Sequence, residues 1–272
     1  MKLPTLFISH GGGPWPWMND LTQDTPYARL AKYLKEFPSK LEMRPKVIVI
    51  ISAHWEESQF TIMSHAHPPM YYDYFGFPKD TYHVQYPAPG APALVPKIKE
   101  LLASAGIQLR EDHARGFDHG TFVPLSLMFP EANIPVLQIS MKTGYEPTKH
   151  MKLGQALAPL RDAGILIIGS GHSFHNLNFA EPKATQHSQQ FEEWLTNTLC
   201  FQDPAERIKK LVTWSSAPSA QKAHPKEDHL VPLFVAAGAA PLSKGKKGFS
   251  ESFSPLDGAP EWEVSCFEFW DS

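Results

Sequence analysis

Five short, continuous apolar runs separated by longer amphipathic stretches constrain the fold more than any other feature of this sequence. They cover residues 4–9 (PTLFIS), 46–52 (KVIVIIS), 134–140 (IPVLQIS), 164–170 (GILIIGS) and 263–269 (EVSCFEF). Runs that do not alternate with polar residues are typical of strands that are covered on both faces. We therefore predict an α/β fold in which helices flank a central sheet that is mostly parallel or mixed.

Helices are predicted between these strands. Amphipathic patterns cover residues 27–37, 94–106 and 150–164, and the last two end at a glycine, which commonly stops a helix. The 272 residues, 42% of them hydrophobic, suffice for one sizeable core. Because no repeat or low-complexity linker divides the chain, we predict a single domain over residues 1–272.

Composition argues against several classes of partner and location. The net charge is −3, and the most basic stretch, residues 242–250 (LSKGKKGFS), is predicted to be a solvated loop. Nucleic-acid binding requires clustered Lys and Arg, so it is not expected. There is no apolar span of about 18 residues and the first apolar stretch is too short for a secretory signal, which predicts a cytoplasmic protein without a membrane segment. Cys200 and Cys266 lack zinc-thiolate spacing and are predicted to be buried apolar residues.

Histidines at strand ends indicate where a functional site lies. The chain has 13 histidines, and His is the commonest metal ligand and the usual proton carrier near neutral pH. His10 follows the first strand and precedes three glycines, which allow a sharp turn and a close approach to whatever the imidazole holds. His54 comes just after the second strand. Ligands of open α/β sheets bind outside the carboxyl ends of the strands, so we expect both histidines to face one site.

Three further stretches contain candidates that spacing alone does not resolve. HSFHNLNF follows a predicted strand, and either His172 or His175 could be a ligand or a proton carrier. His119 lies in an Asp-His-Gly turn before a short predicted helix, and turn chemistry alone could account for it. His224 and His229 flank a predicted helix start and would point about 140° apart on a helix, so one metal is not expected to take both. His229, inside the predicted helix, is the stronger candidate.

The other histidines and the aromatic loops carry weaker signals. Six histidines are predicted to lie at the surface: His65, His67, His83, His113, His150 and His187. The Pro-rich loops at 68–78 and 86–92 are long, and such loops often line a site. The aromatic residues that could line a substrate pocket are Tyr71, Tyr72, Tyr74, Phe75, Tyr82 and Tyr86, with Trp15 and Trp17.

Five separated segments, taken together and in order, resemble the DODA-type extradiol ring-cleavage dioxygenases, relatives of the catalytic subunit of protocatechuate 4,5-dioxygenase. The segments are PTLFISHGGGP, VIVIISAHWE, FDHGTFVPLSLMFPEANIPVLQIS, LGQALAPLRDAGILIIGSGHSFHNL and HPKEDHLVPLFVAAGAA. The resemblance extends over nearly the full chain. It implies an oxidoreductase that cleaves a catechol-type, DOPA-like substrate with O₂ beside the two hydroxyls of the ring.

The resemblance also implies a non-haem Fe(II) site with His10, His54 and His229 as ligands. Many Fe(II) oxygenases use two histidines and one carboxylate, so Glu227 or Asp228 remains an alternative source of the third ligand. Zn(II) is also expected to be found in such a site, because it generally binds these ligands more tightly than Fe(II).

By the same resemblance, His175 is the acid/base, assisted by His119. Three neutral imidazoles leave the metal its full double positive charge, which favours a catechol bound as an anion. Two alternatives remain at this stage. Three histidines around an open position also describe a zinc hydrolase, and the fold is similar to that of Memo-type proteins, for which the role would be non-catalytic binding.

Overall fold

An eight-stranded sheet forms the centre of the computed structural model, which describes residues 2–178, 180–254 and 259–271. The strands are β1 (Thr5–Ser9), β2 (Val47–Glu57), β3 (Thr61–Met63), β4 (Arg110–Asp112), β5 (Val136–Lys142), β6 (Ile165–Gly171), β7 (Gly245–Phe253) and β8 (Trp262–Phe269). Their order in the sheet is β4-β3-β5-β2-β6-β1-β8-β7. All five strands predicted from apolar runs are present.

The middle of the sheet is parallel and its margins are mixed. Strands β5, β2, β6 and β1 pair in parallel, whereas β3 is antiparallel to β5, and β8 is antiparallel to both β1 and β7. Val49 and Ile51 belong to one buried cluster, and Ile48 and Ile50 to another, so both faces of β2 are covered. The predicted α/β class with a mixed sheet is therefore confirmed.

Eight helices, among the residues described, cover the two faces of the sheet. They are α1 (Pro26–Glu36), α2 (Val95–Ser104), α3 (His119–Met128), α4 (Pro147–Leu157), α5 (Ala184–Thr196), α6 (Pro204–Val212), α7 (Ala220–Ala223) and α8 (Val231–Gly238). Residues of α1 and α3 pack in one buried cluster, and residues of the other six helices pack in the other. In the described part of the chain no helix is long and apolar enough to span a membrane.

The basic stretch at 242–250 does not form the predicted solvated loop. Most of it belongs to β7, which pairs with β8 at the edge of the sheet. An edge strand can carry lysines on its open side while its apolar residues turn inward, and Phe249 and Phe253 are buried in this way. The short strands β3 and β4 were not predicted either, because three residues carry too little pattern.

Two predictions of burial were wrong. Cys266 is buried as expected, but Cys200 is only half-buried, in the π-helical turn Asn197–Phe201 that follows α5. His150 was expected at the surface and is fully buried. Its Nδ1 donates to the carbonyl oxygen of Glu146 at 2.9 Å, and its Nε2 accepts from the backbone N–H of Lys142 at 3.0 Å. Burial costs little here because both ring nitrogens are hydrogen-bonded.

A buried arginine joins segments far apart in the chain. Arg161 is 1% exposed and donates to the carbonyl oxygens of Leu3 and Ala239 at 2.7 and 3.1 Å, and to Asp271 Oδ1 at 2.8 Å. The guanidinium thus links the segment that precedes β1 to the end of α8 and to the segment that follows β8.

We expect Arg161→Met to lower the free energy of unfolding by about 2 to 4 kcal/mol, because two buried carbonyl oxygens lose their donors. Urea denaturation would measure the change. Arg44→Met is the matched control, since Arg44 is exposed and its loss should cost less than about 0.5 kcal/mol. Equal losses in the two variants would contradict this account.

Candidate active site

A cavity of about 550 Å³ opens at the carboxyl ends of β1, β2 and β6. Six histidines line it: His10, His54, His119, His172, His175 and His229. The structure thus brings together the five histidines to which the resemblance gave a role, and with them His172, which spacing had left as an alternative to His175. His224, by contrast, is buried outside the cavity lining, and its Nε2 donates to the carbonyl oxygen of Ser173 at 2.9 Å.

His10 sits in the turn that follows β1. Its Nδ1 donates to the carbonyl oxygen of Gly11 at 2.7 Å, and its side chain is buried. Gly11 has a φ of +74°, and a Cβ there would lie 2.1 Å from Trp15 Nε1. That indole nitrogen donates to the carbonyl oxygen of His10 at 2.7 Å. The glycine is therefore needed because Trp15 closes against the turn that carries His10.

His54 and His119 share one carboxylate. His54 lies within β2 and not beyond it, since the strand continues to Glu57 through a register shift after Ile51. His119 is the first residue of α3. Asp73 Oδ2 lies 3.3 Å from His54 Nδ1, and Asp73 Oδ1 accepts from His119 Nδ1 at 2.8 Å.

Asp73 was missed in the sequence analysis. Burial raises the pKa of its carboxyl, but the hydrogen bond and charge of His119 outweigh that effect and bring the pKa below its usual value. Asp73 therefore stays ionised beside the two imidazoles. The sequence signal that could have identified Asp73 is that it is the sole acidic residue in the aromatic loop 68–78.

His229 was predicted to lie inside a helix, and this prediction was wrong. The residue ends the 3-10 turn Glu227–His229, just before α8. Its carbonyl oxygen packs against the end of β6, where a Cβ on Gly171 would lie 2.0 Å from it. The same oxygen accepts from the backbone N–H of His172 at 3.0 Å. His229 Nδ1 donates to Asp228 Oδ1 at 3.0 Å. Glycine at the end of β6 thus allows the His229 turn to lie directly on the strand.

His172 and His175 differ in what their rings contact. His172 Nε2 lies 3.3 Å from the carbonyl oxygen of Gly11, and its Nδ1 is 2.9 Å from Ser9 Oγ, so both nitrogens have partners. The ring of His175 stacks on His229 with centroids 3.5 Å apart and makes no hydrogen bond within the described part of the chain. Burial lowers the pKa of His172 to about 3 and that of His175 to about 4. His175 is the ring that remains available to a substrate.

The proton positions on the rings follow from their partners. Burial, and then the neighbouring imidazoles, lower the pKa of His10, His54 and His229 well below the ordinary value, so these rings are neutral. Nδ1 of His10 and of His229 donates to an oxygen that can only accept, and Nδ1 of His54 lies 3.3 Å from Asp73 Oδ2, so we assign each proton to Nδ1. The Nε2 atoms of His10 and His54, which lie 3.2 Å apart, therefore both present lone pairs.

The aromatic walls of the cavity differ from those expected. Phe77 is the aromatic residue of the described loop 68–78 that lines the cavity. Trp15 also lines it, as expected. The other aromatic candidates lie outside the lining: Tyr71, Tyr72, Tyr74, Phe75, Tyr82, Tyr86 and Trp17. Several of them pack on one another instead, as Tyr74 does on Tyr82 with centroids 5.2 Å apart. The remaining aromatic wall comes from other elements: Tyr27, Phe174, Phe253 and Trp262.

Comparison with known proteins places this chain in a family. The family model described as the catalytic LigB subunit of aromatic ring-opening dioxygenase matches residues 4–265. The 4,5-DOPA dioxygenase extradiol of Beta vulgaris is 42% identical over 241 residues, which are 87% of this chain and 86% of that protein. The dioxygenase tasH of Hapsidospora irregularis is 33% identical over 270 residues, 93% of this chain and 83% of that protein.

A solved structure agrees with the sequence comparisons. The crystal structure of an uncharacterized protein from Escherichia coli K12 aligns with a TM-score of 0.77 at 27% identity, covering 99% of this chain and 100% of that one. The chain therefore belongs to the family of the catalytic LigB subunit of aromatic ring-opening dioxygenases, and it is a dioxygenase of the extradiol type.

Proposed function

We propose that this protein opens the ring of a catechol with O₂ at a non-haem Fe(II) centre held by His10, His54 and His229. The observation that carries the proposal is the 3.2 Å separation of the Nε2 atoms of His10 and His54. Two neutral imidazoles with lone pairs directed at each other repel unless a cation lies beside both nitrogens. A divalent metal ion satisfies that condition, and imidazole nitrogen suits iron and zinc.

Ring spacing supports His229 as the third ligand. An imidazole nitrogen about 2.1 Å from a metal ion puts its ring centroid about 3.2 Å away, so ligand rings at about 90 to 110° have centroids about 4.5 to 5.3 Å apart. The centroid distances among His10, His54 and His229 are 4.8, 4.9 and 5.3 Å. The ligand nitrogens of His10, His54 and His119 also lie within 4.8 Å of one another, but the 3.9 Å between the ring centroids of His54 and His119 is below this range, which favours His229.

Carboxylates around the three rings fit a supporting role better than a ligand role. Metal-bound histidines commonly donate their other N–H to a carboxylate or carbonyl, which orients the ring. Asp73 lies beside Nδ1 of His54, and Asp228 accepts from Nδ1 of His229. Asp228 Oδ2 lies 3.3 Å from Lys226 Nζ, so both of its oxygens have partners. Glu227 does not line the cavity, and we therefore place neither Asp228 nor Glu227 among the ligands.

His175 and His119 are proposed to handle the protons of the reaction. Fe(II), when bound, supplies positive charge that favours a catechol anion and a redox centre for O₂. The free ring of His175 accepts a proton from one substrate hydroxyl and returns it when the ring opens. His119, held by Asp73 through Nδ1, turns its other nitrogen toward the cavity and assists. The apolar walls limit the water that reaches this proton exchange.

The first test reconstitutes metal-free protein anaerobically with Fe(II) or with Zn(II) and adds a panel of catechols under air. We expect O₂ uptake and a yellow ring-opened product with Fe(II) alone, because zinc has no redox chemistry. An oxygen electrode and a spectrophotometer would follow the reaction. Failure of the Fe(II) protein with every catechol, at full metal content, would contradict the proposed function.

A second test concerns the ligand set. Replacing His10, His54 or His229 by Ala should reduce metal affinity by more than about 100-fold, because loss of a supporting partner alone costs about 10 to 100-fold. His119→Ala should retain about one metal ion per chain. Elemental analysis after gel filtration would measure this, and circular dichroism would confirm folding. Loss of metal from His119→Ala, with retention in His229→Ala, would replace His229 by His119 in the set.

A third test separates the proton carrier from the ligands. We expect His175→Ala to keep its metal and to lose about 10² to 10⁴-fold in kcat, the usual contribution of a positioned acid/base. His83→Ala is the matched control because His83 is exposed and lies outside the cavity lining. Unchanged kcat in metal-loaded His175→Ala would remove His175 from the mechanism.

A further inference from the structure

Beyond the six histidines, the described part of the cavity wall has no charged side chain. Among the described residues that line it, none is Lys, Arg, Asp or Glu. Residues 255–258 follow the lining residue Ser254 in the chain but lie outside the described ranges, and their sequence, PLDG, contains one acidic and no basic residue. A carboxylate on the substrate would therefore find no cationic side chain among the described lining residues.

The polar side chains in the described lining, apart from the histidines, are uncharged. The Tyr27 hydroxyl lies beside Gly12, and Asn19 Nδ2 donates to the carbonyl oxygen of Trp15 at 2.8 Å. Lys226, close in sequence to His229, lies outside the lining. Its Nζ is 3.3 Å from Asp228 Oδ2 and 3.6 Å from Glu56 Oε2, so two carboxylates already balance its charge.

Most of the described side chains in the remaining wall are apolar, and many of these are aromatic. The Trp15 and Tyr27 rings stack with centroids 4.9 Å apart, and Phe253 meets Tyr27 edge to face at 5.1 Å. Met18 and Leu177 line the cavity while 43% and 65% exposed, so apolar surface continues to its mouth. A volume of about 550 Å³ is in the range of pockets for ligands considerably larger than a bare catechol ring.

We propose that the preferred substrate is a catechol whose ring substituent is uncharged and apolar, unlike the amino-acid side chain of DOPA. This inference rests on the catechol-cleaving function proposed above. Burying an ammonium or carboxylate without a partner is strongly unfavourable, whereas each buried methylene strengthens binding about fourfold. The selectivity resides in the wall formed by Met18, Tyr27, Phe253 and Leu177.

The test compares catechols of similar length on the Fe(II)-loaded enzyme by initial rates of O₂ uptake. From 4-methylcatechol to 4-butylcatechol, kcat/KM should rise about three to fourfold per methylene. 4-Butylcatechol should exceed 3-(3,4-dihydroxyphenyl)propionate, dopamine and L-DOPA by at least about tenfold. Equal or better turnover of L-DOPA would overturn the inference and leave the catechol-cleaving function standing. Failure of every catechol would overturn that function and the inference with it.

An introduced charge provides the converse test. Met18→Arg places a cation at the exposed rim of the cavity and should raise kcat/KM for the propionate at least about tenfold relative to 4-butylcatechol. Met18→Gln has a side chain of similar length without a charge. It should raise kcat/KM for the propionate relative to 4-butylcatechol by much less than tenfold. Leu242→Arg adds the same charge at a residue that is 83% exposed outside the cavity lining, and it should leave both rates unchanged. An unshifted ratio in Met18→Arg would contradict the inference.

Discussion

Parallel pairing of β1, β6 and β2 is the constraint on which the active site depends. Parallel strands end at the same edge of a sheet, so residues distant in sequence meet there. His10 follows β1 and is brought within reach of His54 near the end of β2. The end of β6 contributes Gly171, which lets the His229 turn lie against the strand. A one-residue change of register would move these groups away from one another.

Burial of neutral imidazoles governs the chemistry of the site. Desolvation lowers the pKa of the buried rings, and acceptors on Nδ1 leave Nε2 lone pairs to meet in the cavity. This arrangement attracts a cation at the histidine end, while the opposite wall is apolar and has no charged side chain among the residues described. In the proposed reaction, the contrast between the two ends would orient the catechol, with its hydroxyls toward the histidines and its substituent toward the aromatic wall.

Much of the fold and the composition of the histidine cluster were predictable from sequence. Continuous apolar runs identified the buried strands because such strands leave no polar alternation. The same rule failed for β7, an edge strand rich in Lys and Ser. The prediction that His150 lies at the surface was wrong. The sequence does not show the backbone carbonyl and N–H groups that form hydrogen bonds with its two ring nitrogens. Family membership decided for a dioxygenase over the hydrolase and non-catalytic alternatives.

By itself, the sequence determined five of the eight described strands, their order along the chain and the histidines near their ends, because each depends on a local pattern of a few residues. Tertiary structure alone decided which groups surround those histidines. Asp73 reaches His54 and His119 from a loop, and the substrate wall joins Tyr27 of α1 to Phe253 of β7, over 200 residues apart. Such contacts depend on how distant elements pack in space, and no local pattern of residues encodes that packing.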